Sequence, residues 1–186
     1  MTLTHPSHAV WNEPSPGFRR WEKSAVLGAG DSLWEWVAAE VMRWGVKTRS
    51  GFSISPAGLV SVGSQPVILA HPFGLSIREP VEVVDVVQMP DRVGFAYRTL
   101  PGHPVSGEEA FIVHRSGDDV ILTIRSLTQP GLQVRWRLVY PVLLLAQAVA
   151  RRRYLRALRV RADHVAGISR RAARRSTTGP PASPQG

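Results

Sequence analysis

The side chains best suited to chemistry gather in the middle of the chain, in the stretch GFAYRTLPGHPVSGEEAF at 94–111. It carries Tyr97, His103 and the adjacent carboxylates Glu108 and Glu109. These are the groups of general acid–base work. A carboxyl walled by apolar side chains has its pKa raised, and an imidazole or phenol beside it can pass the proton on. The same groups can also serve as the few polar contacts of a binding pocket, or stand in water on an ordinary long hairpin. The residues alone leave all three readings open.

Other chemistries find less support. Metal ligation by His103, Glu108, Glu109 and His114 fails on reach, because Glu108 and His114 lie about 20 Å apart along an extended strand. No paired-histidine helix motif is present, so no metal is expected. Gly28-Ala-Gly30-Asp-Ser has Leu33 where a dinucleotide fingerprint needs its third glycine, and Asp31 where phosphate would sit. It reads as a tight turn into a helix. With no cysteine and no G-x-S-x-G elbow, thiol and serine nucleophiles drop out as well. Nothing points to a cofactor.

Positioning these groups requires strands. Period-two alternation puts Phe95, Tyr97 and Thr99 on one face of a strand, with Ala96 and Arg98 on the other. Glu109, Phe111 and Val113 likewise alternate against Glu108, Ala110, Ile112 and His114. The proline- and glycine-rich run from Leu100 to Gly107 joins the two strands. Further β-rich runs are expected near 18–27, 49–55, 60–70, 75–87 and 119–128, separated by Pro56-Ala-Gly58, His71-Pro-Phe-Gly74, Met89-Pro-Asp-Arg92 and Ser116-Gly-Asp-Asp119. From Arg49 to Thr128 no run long enough for a crossover helix intervenes, so an antiparallel meander is expected.

Helical spacing appears at both ends. Ser32-Leu-Trp-Glu35 has the form of a capping box, Leu33, Val37, Val41 and Trp44 follow on one face, and Gly45 is expected to end that helix. A longer helix is expected from about Leu132 to Arg161, with Leu144, Ala148, Leu155 and Leu158 on one side and Tyr154 beside them. The order helix, six or seven strands, long helix implies an α+β fold: a strongly curved antiparallel sheet with the final helix packed across it and a cavity between.

The formal charge of +9 is lopsided. Residues 1–130 hold 11 Lys+Arg against 13 Asp+Glu, while 131–186 hold 12 Arg against Asp163 alone. Contact with an anionic membrane or with nucleic acid therefore belongs to the C-terminal arginines, where it competes with the plain role of cations at a helix end. Residues 1–17 read as a flexible leader, 18–161 as one domain, and 162–186 as a disordered arginine-rich tail. The longest nearly apolar run, Leu138 to Ala150, falls short of the about 20 residues a transmembrane helix needs. No basic start with an apolar run marks a secretory signal, and a cytoplasmic protein is the expectation.

The central segment resembles the signature GFAY-x-TLPGHP-x-x-GEEAF of an uncharacterised domain-of-unknown-function family of bacteria and plants. Val26-Leu27-Gly28-x-Gly30, Trp44, and Arg153-Tyr154-Leu155-Arg156-Ala157-Leu158 match its pattern too, so the resemblance spans about residues 18–160. Leu143-Leu144-Leu145 and the arginine tail depart from it. The family is similar to the helix-grip superfamily of START-like and pollen-allergen-like domains and brings no established activity. With the strand-rich order and the terminal helix, the resemblance leads to the expectation of a helix-grip-like module binding an apolar or amphipathic small molecule. Tyr97, Thr99, His103, Glu108, Glu109 and Arg125 would be its polar contacts, and Phe95, Phe111, Tyr154 and Leu155 its walls. The alternative is an enzyme using the same cavity, with Glu108 or Glu109 working with His103 or Tyr97.

Overall fold

The computed structural model describes residues 2–12, 16–71, 76–130 and 140–159. Seven strands form one antiparallel sheet: β1 (Arg19–Ala29), β2 (Phe52–Ser55), β3 (Val67–Ala70), β4 (Ile77–Met89), β5 (Arg92–Thr99), β6 (Val105–Ser116) and β7 (Asp119–Pro130). Their order across the sheet is β1-β7-β6-β5-β4-β3-β2, which leaves β1 and β2 as open edges. From β2 to β7 the chain is a meander, as short turn-bounded runs dictate. Two-residue loops close β4 onto β5 and β6 onto β7, and the second loop sets Gly117 at φ +59, a conformation that favours glycine. The run expected at 60–70 is a strand only over Val67–Ala70. The residues before it lie against β4 through Gly63 N–H to Val83 O and Val83 N–H to Ser64 O, where β4 shifts register between Val83 and Asp85.

Three helices complete the described fold: α1 (Asp31–Val41), α2 (Gly45–Thr48) and α3 (Tyr140–Ala157). The capping box does not form. α1 starts at Asp31 with Gly30 at its N-cap and no side-chain cap, so Ser32 is already inside the first turn. Nor does Gly45 end a helix; it opens α2. The reversal is made by Trp44 in the left-handed region (φ 60, ψ 21). Gly45 is required there because a Cβ would stand 2.6 Å from the carbonyl oxygen of Glu40. On α3 the buried positions are Arg151 and Tyr154, with Leu158 buried just past its end, while Leu155 is half-buried and Ala148 exposed. The inward stripe is thus rotated from the expected one, because polar side chains tie the helix down. Arg151 Nη2 donates to Ser126 Oγ at 3.0 Å and Gln147 Nε2 to Thr128 Oγ1 at 3.1 Å.

The main core lies between the sheet and the helices, with Val37, Val41 and Trp44 packed over Phe95, Phe111 and Ile124. The other face of the sheet is buried too, around Ala96, Ala110 and Ile112. What covers it is the N-terminal segment. Residues 2–12 do not behave as a loose leader: Thr4 and Trp11 are buried, and Arg125 donates to the carbonyls of Thr4, His5, His8 and Ala9. The physical reason is that a guanidinium and a carboxylate on this face lose their water on folding, and the backbone of the segment replaces it. The expected tail at 162–186 lies outside the described residues. Among those described, no helix is long and apolar enough to cross a membrane.

Candidate functional site

The site is organised around Lys47. The Trp44–Gly45 reversal turns α2 so that Lys47, 3% exposed, points under the sheet rather than into solvent. Its Nζ stands 3.1 Å from Glu109 Oε2 and donates to the Tyr154 hydroxyl at 2.7 Å. The Tyr97 hydroxyl donates to the same Glu109 oxygen. Cross-strand register accounts for that contact, because Tyr97 on β5 and Glu109 on β6 are direct partners. Four aromatic rings surround the ammonium: Phe52 and Tyr154 at 4.8 Å, Tyr97 at 5.3 Å and Phe111 at 5.7 Å. Desolvated cation–π contacts of this kind help offset the cost of burying the charge.

A cavity of about 500 Å³ opens above this cluster, between the sheet and α3. Lys47, Glu79, Tyr97, His103, Glu109 and Tyr154 line its polar end. Apolar lining comes from Phe52 and Ile77 on the sheet side and from Leu145, Val149 and Ala150 on α3, with Arg153 also at the wall. Near its edge the start of β6 is set by Gly107. A Cβ at that position would lie 1.9 Å from Leu127 O, and the Gly107 N–H donates to Thr99 Oγ1 at 3.0 Å.

The electrostatics follow from burial and from one ion pair. Burial alone lowers the Lys47 pKa, but the adjacent Glu109 charge, with Tyr154, Tyr97 and Glu79 behind it, raises it well above the ordinary lysine value. The amine is therefore held as an ammonium, the opposite of what a Schiff-base nucleophile needs. Burial, then Glu109, pushes the Tyr97 phenol well up, and burial does the same for Tyr154. Burial raises the Glu79 carboxyl against the opposing pull of Lys47. His103 falls from 6.5 to about 4, through burial first and the Lys47 charge second, so it is neutral at pH 7. Its Nε2 lies 4.0 Å from Glu79 Oε2, which is neither an ion pair in that state nor a hydrogen bond. Among the described residues no group of three or more His, Cys, Asp or Glu side chains is placed to hold a metal ion.

Of the residues expected at the pocket, Tyr97, Thr99, His103, Glu109 and Tyr154 do line the cavity. Phe95 and Phe111 stand behind it in the core, against Trp44 and Tyr154 respectively, and Leu155 packs on the core. Glu108 and Arg125 belong elsewhere. Glu108 borders the cavity in the chain, but its carboxylate faces the opposite side, where it accepts from Thr2, Leu3 and Thr4. Arg125, paired in register with Ala110 and Glu22, is on that same outer face and bonds Glu22 at 2.9 Å. Alternation alone forces the split: if Glu109 points in, Glu108 points out.

Lys47, Glu79, Arg153 and Gln147 were not foreseen. One signal existed for the first. The chain has 21 arginines and only two lysines, Lys23 and Lys47, so a lysine in the apolar turn WGVKT breaks the chain's own habit. A compact ammonium fits an aromatic pocket that a planar guanidinium would overfill.

Known proteins share this architecture. A hypothetical protein of Helicobacter pylori superposes with a TM-score of 0.56 at 12% identity, over 76% of this chain and 86% of that one. A START superfamily protein of Mycobacterium smegmatis gives 0.51 at 15% identity, over 80% of this chain and 99% of its own. At such identities the likeness is one of fold, and the fold is helix-grip-like. In sequence, a UPF0548 protein of Deinococcus radiodurans is 32% identical over 146 residues, 71% of this chain and 72% of that protein. The family model described as Domain of unknown function (DUF1990) matches residues 4–157, a span that begins inside the N-terminal segment laid on the outer face.

Proposed function

This chain belongs to the DUF1990 family, and from that premise we propose that it is a small-molecule binding module whose ligand, apolar or amphipathic, enters between the sheet and α3. One observation carries the reading: a cavity of about 500 Å³ with aliphatic lining on α3 and a polar cluster at its other end. That volume lies in the range of small-ligand sites, which pair apolar walls with a few convergent polar groups. The helix-grip-like fold supports it. Tyr97, Thr99, His103, Glu109 and Tyr154 are the contacts carried forward from the sequence, and Lys47 joins them.

An enzymatic reading retains one support, that Glu109, Tyr97 and His103 border the same space. Against it, the Glu109 oxygen nearest the cluster is already engaged by Tyr97 and Lys47. The third reading, docking of arginines on anionic lipid or nucleic acid, rests on exposed Arg152, Arg156 and Arg159 and on a tail outside the described residues.

Native mass spectrometry of the full chain purified from its own host tests the first reading. The expected result is a co-purifying small molecule that is lost on denaturation. Absence of any adduct, together with failure to bind a solvatochromic apolar dye, would overturn it.

A further inference from the structure

Two groups at the polar end of the cavity, Tyr154 and Lys47, have protons beyond those their oxygen partners take up. The Tyr154 hydroxyl accepts from Lys47, so its own proton has to go elsewhere. Lys47 carries three protons and has two partners, Glu109 and Tyr154. Two groups with protons to spare at one end of one cavity make a place suited to an acceptor.

The charges agree. Two cations, Lys47 and Arg153, line the cavity. Lys47 is matched by Glu109, while Arg153 has no acidic partner among the described residues. The remaining carboxyl, Glu79, is pushed by burial toward its neutral form.

We propose that the cavity selects ligands ending in a carboxylate, whose oxygens accept from Tyr154 O–H and Lys47 N–H near the Arg153 charge, while the apolar remainder lies along α3. This rests on the binding-module reading and names the class of head group. A cationic head would meet two donors and two like charges. A neutral alcohol would accept without the gain of a charge-assisted bond.

The test is calorimetric titration of the full chain at pH 7.5 with dodecanoate, dodecanol and dodecylammonium, each below its micellar concentration. The expected result is dodecanoate binding at least about tenfold more tightly than dodecylammonium, with dodecanol between them. Lys47→Met leaves Glu109 buried and unpaired and is a poor probe of binding, so Tyr154→Phe is the informative variant: it keeps the ring and removes the donor. It should weaken dodecanoate about five- to tenfold and leave dodecylammonium unchanged. Equal binding of the three compounds, or a preference for the ammonium, overturns the head-group assignment while the binding module stands; so does a dodecanoate affinity indifferent to Tyr154→Phe. If none of the three binds, the head-group assignment falls, while the binding module falls only if the native adduct and the apolar dye are absent too.

Discussion

Two adjacent carboxylates on β6 show how differently one strand uses the same chemistry. Glu108 turns to the outer face, where Thr2, Leu3 and Thr4 donate to it. Glu109 turns to the inner face, where it holds Lys47 and Tyr97. On the outer face, buried charge is closed off by the chain itself. Arg125 spends its donors on Glu22 and on four carbonyls of the N-terminal segment, and Arg92 adds a bond to Pro6 O. On the inner face the cluster opens on a cavity, toward which Tyr154 and Lys47 have protons to spare. The outer site holds the protein together; the inner one stays open on the cavity, the place of the proposed ligand.

The sharpest way to break this comparison is to remove one charge from the inner pair. Glu109→Leu leaves Lys47 buried without its counter-ion, and the expected loss is about 3–5 kcal/mol in urea unfolding. A loss below about 1 kcal/mol would mean that water already screens the pair.

On the outer face, Arg125→Ala should cost about 3 kcal/mol, since a fully buried guanidinium and its charge-assisted bonds disappear together. Hydrogen exchange should then rise sharply across residues 2–12, with no change in cavity binding. If the segment stays protected, Arg125 is not what holds it.

His103 supplies a pH test of the inner face. Its folded pKa of about 4 lies below 6.5, so the unfolded chain binds more protons between these values. Its contribution to stability is therefore complete above pH 6.5 and is lost as pH falls toward 4, amounting to at most about 3 kcal/mol. Glu79, with a raised pKa, works in the opposite sense, favouring the fold at low pH and losing that contribution as pH rises. The measurable quantity is the difference between variants. His103→Gln should be less sensitive to acid than the unaltered chain across pH 6.5 to 4, and identical slopes would place His103 in contact with water.

The smallest effect expected is at Glu108. Glu108→Gln keeps the shape and one acceptor but loses the charge, for about 1–2 kcal/mol of stability and an unchanged affinity for any cavity ligand. A change in affinity would show that the two faces are coupled through β6, and the contrast drawn between them would have to be abandoned.

Much of this molecule was legible in its sequence. Alternation placed Phe95, Tyr97 and Thr99 on one face, turn chemistry located the β4–β5 and β6–β7 hairpins, and the GFAY…GEEAF segment pointed to the family. Local misreadings came from competition between short-range signals. The capping box lost to a start two residues earlier, with Gly30 rather than Ser32 at the N-cap, and Gly45, read as a helix stop, opens the helix that carries Lys47.

What the sequence determined by itself was parity: which side chains share a face. Only the tertiary structure decided which face meets α3 and which meets the N-terminal segment. A pattern of period two is unchanged when the two sides of a sheet are exchanged, and a register slip of one residue would swap Glu108 with Glu109. Lys47 was out of reach for a related reason. Its neighbours Glu109, Tyr97 and Tyr154 lie some fifty to more than a hundred residues away along the chain, and no local pattern records a contact made only when α2, the sheet and α3 close on one another.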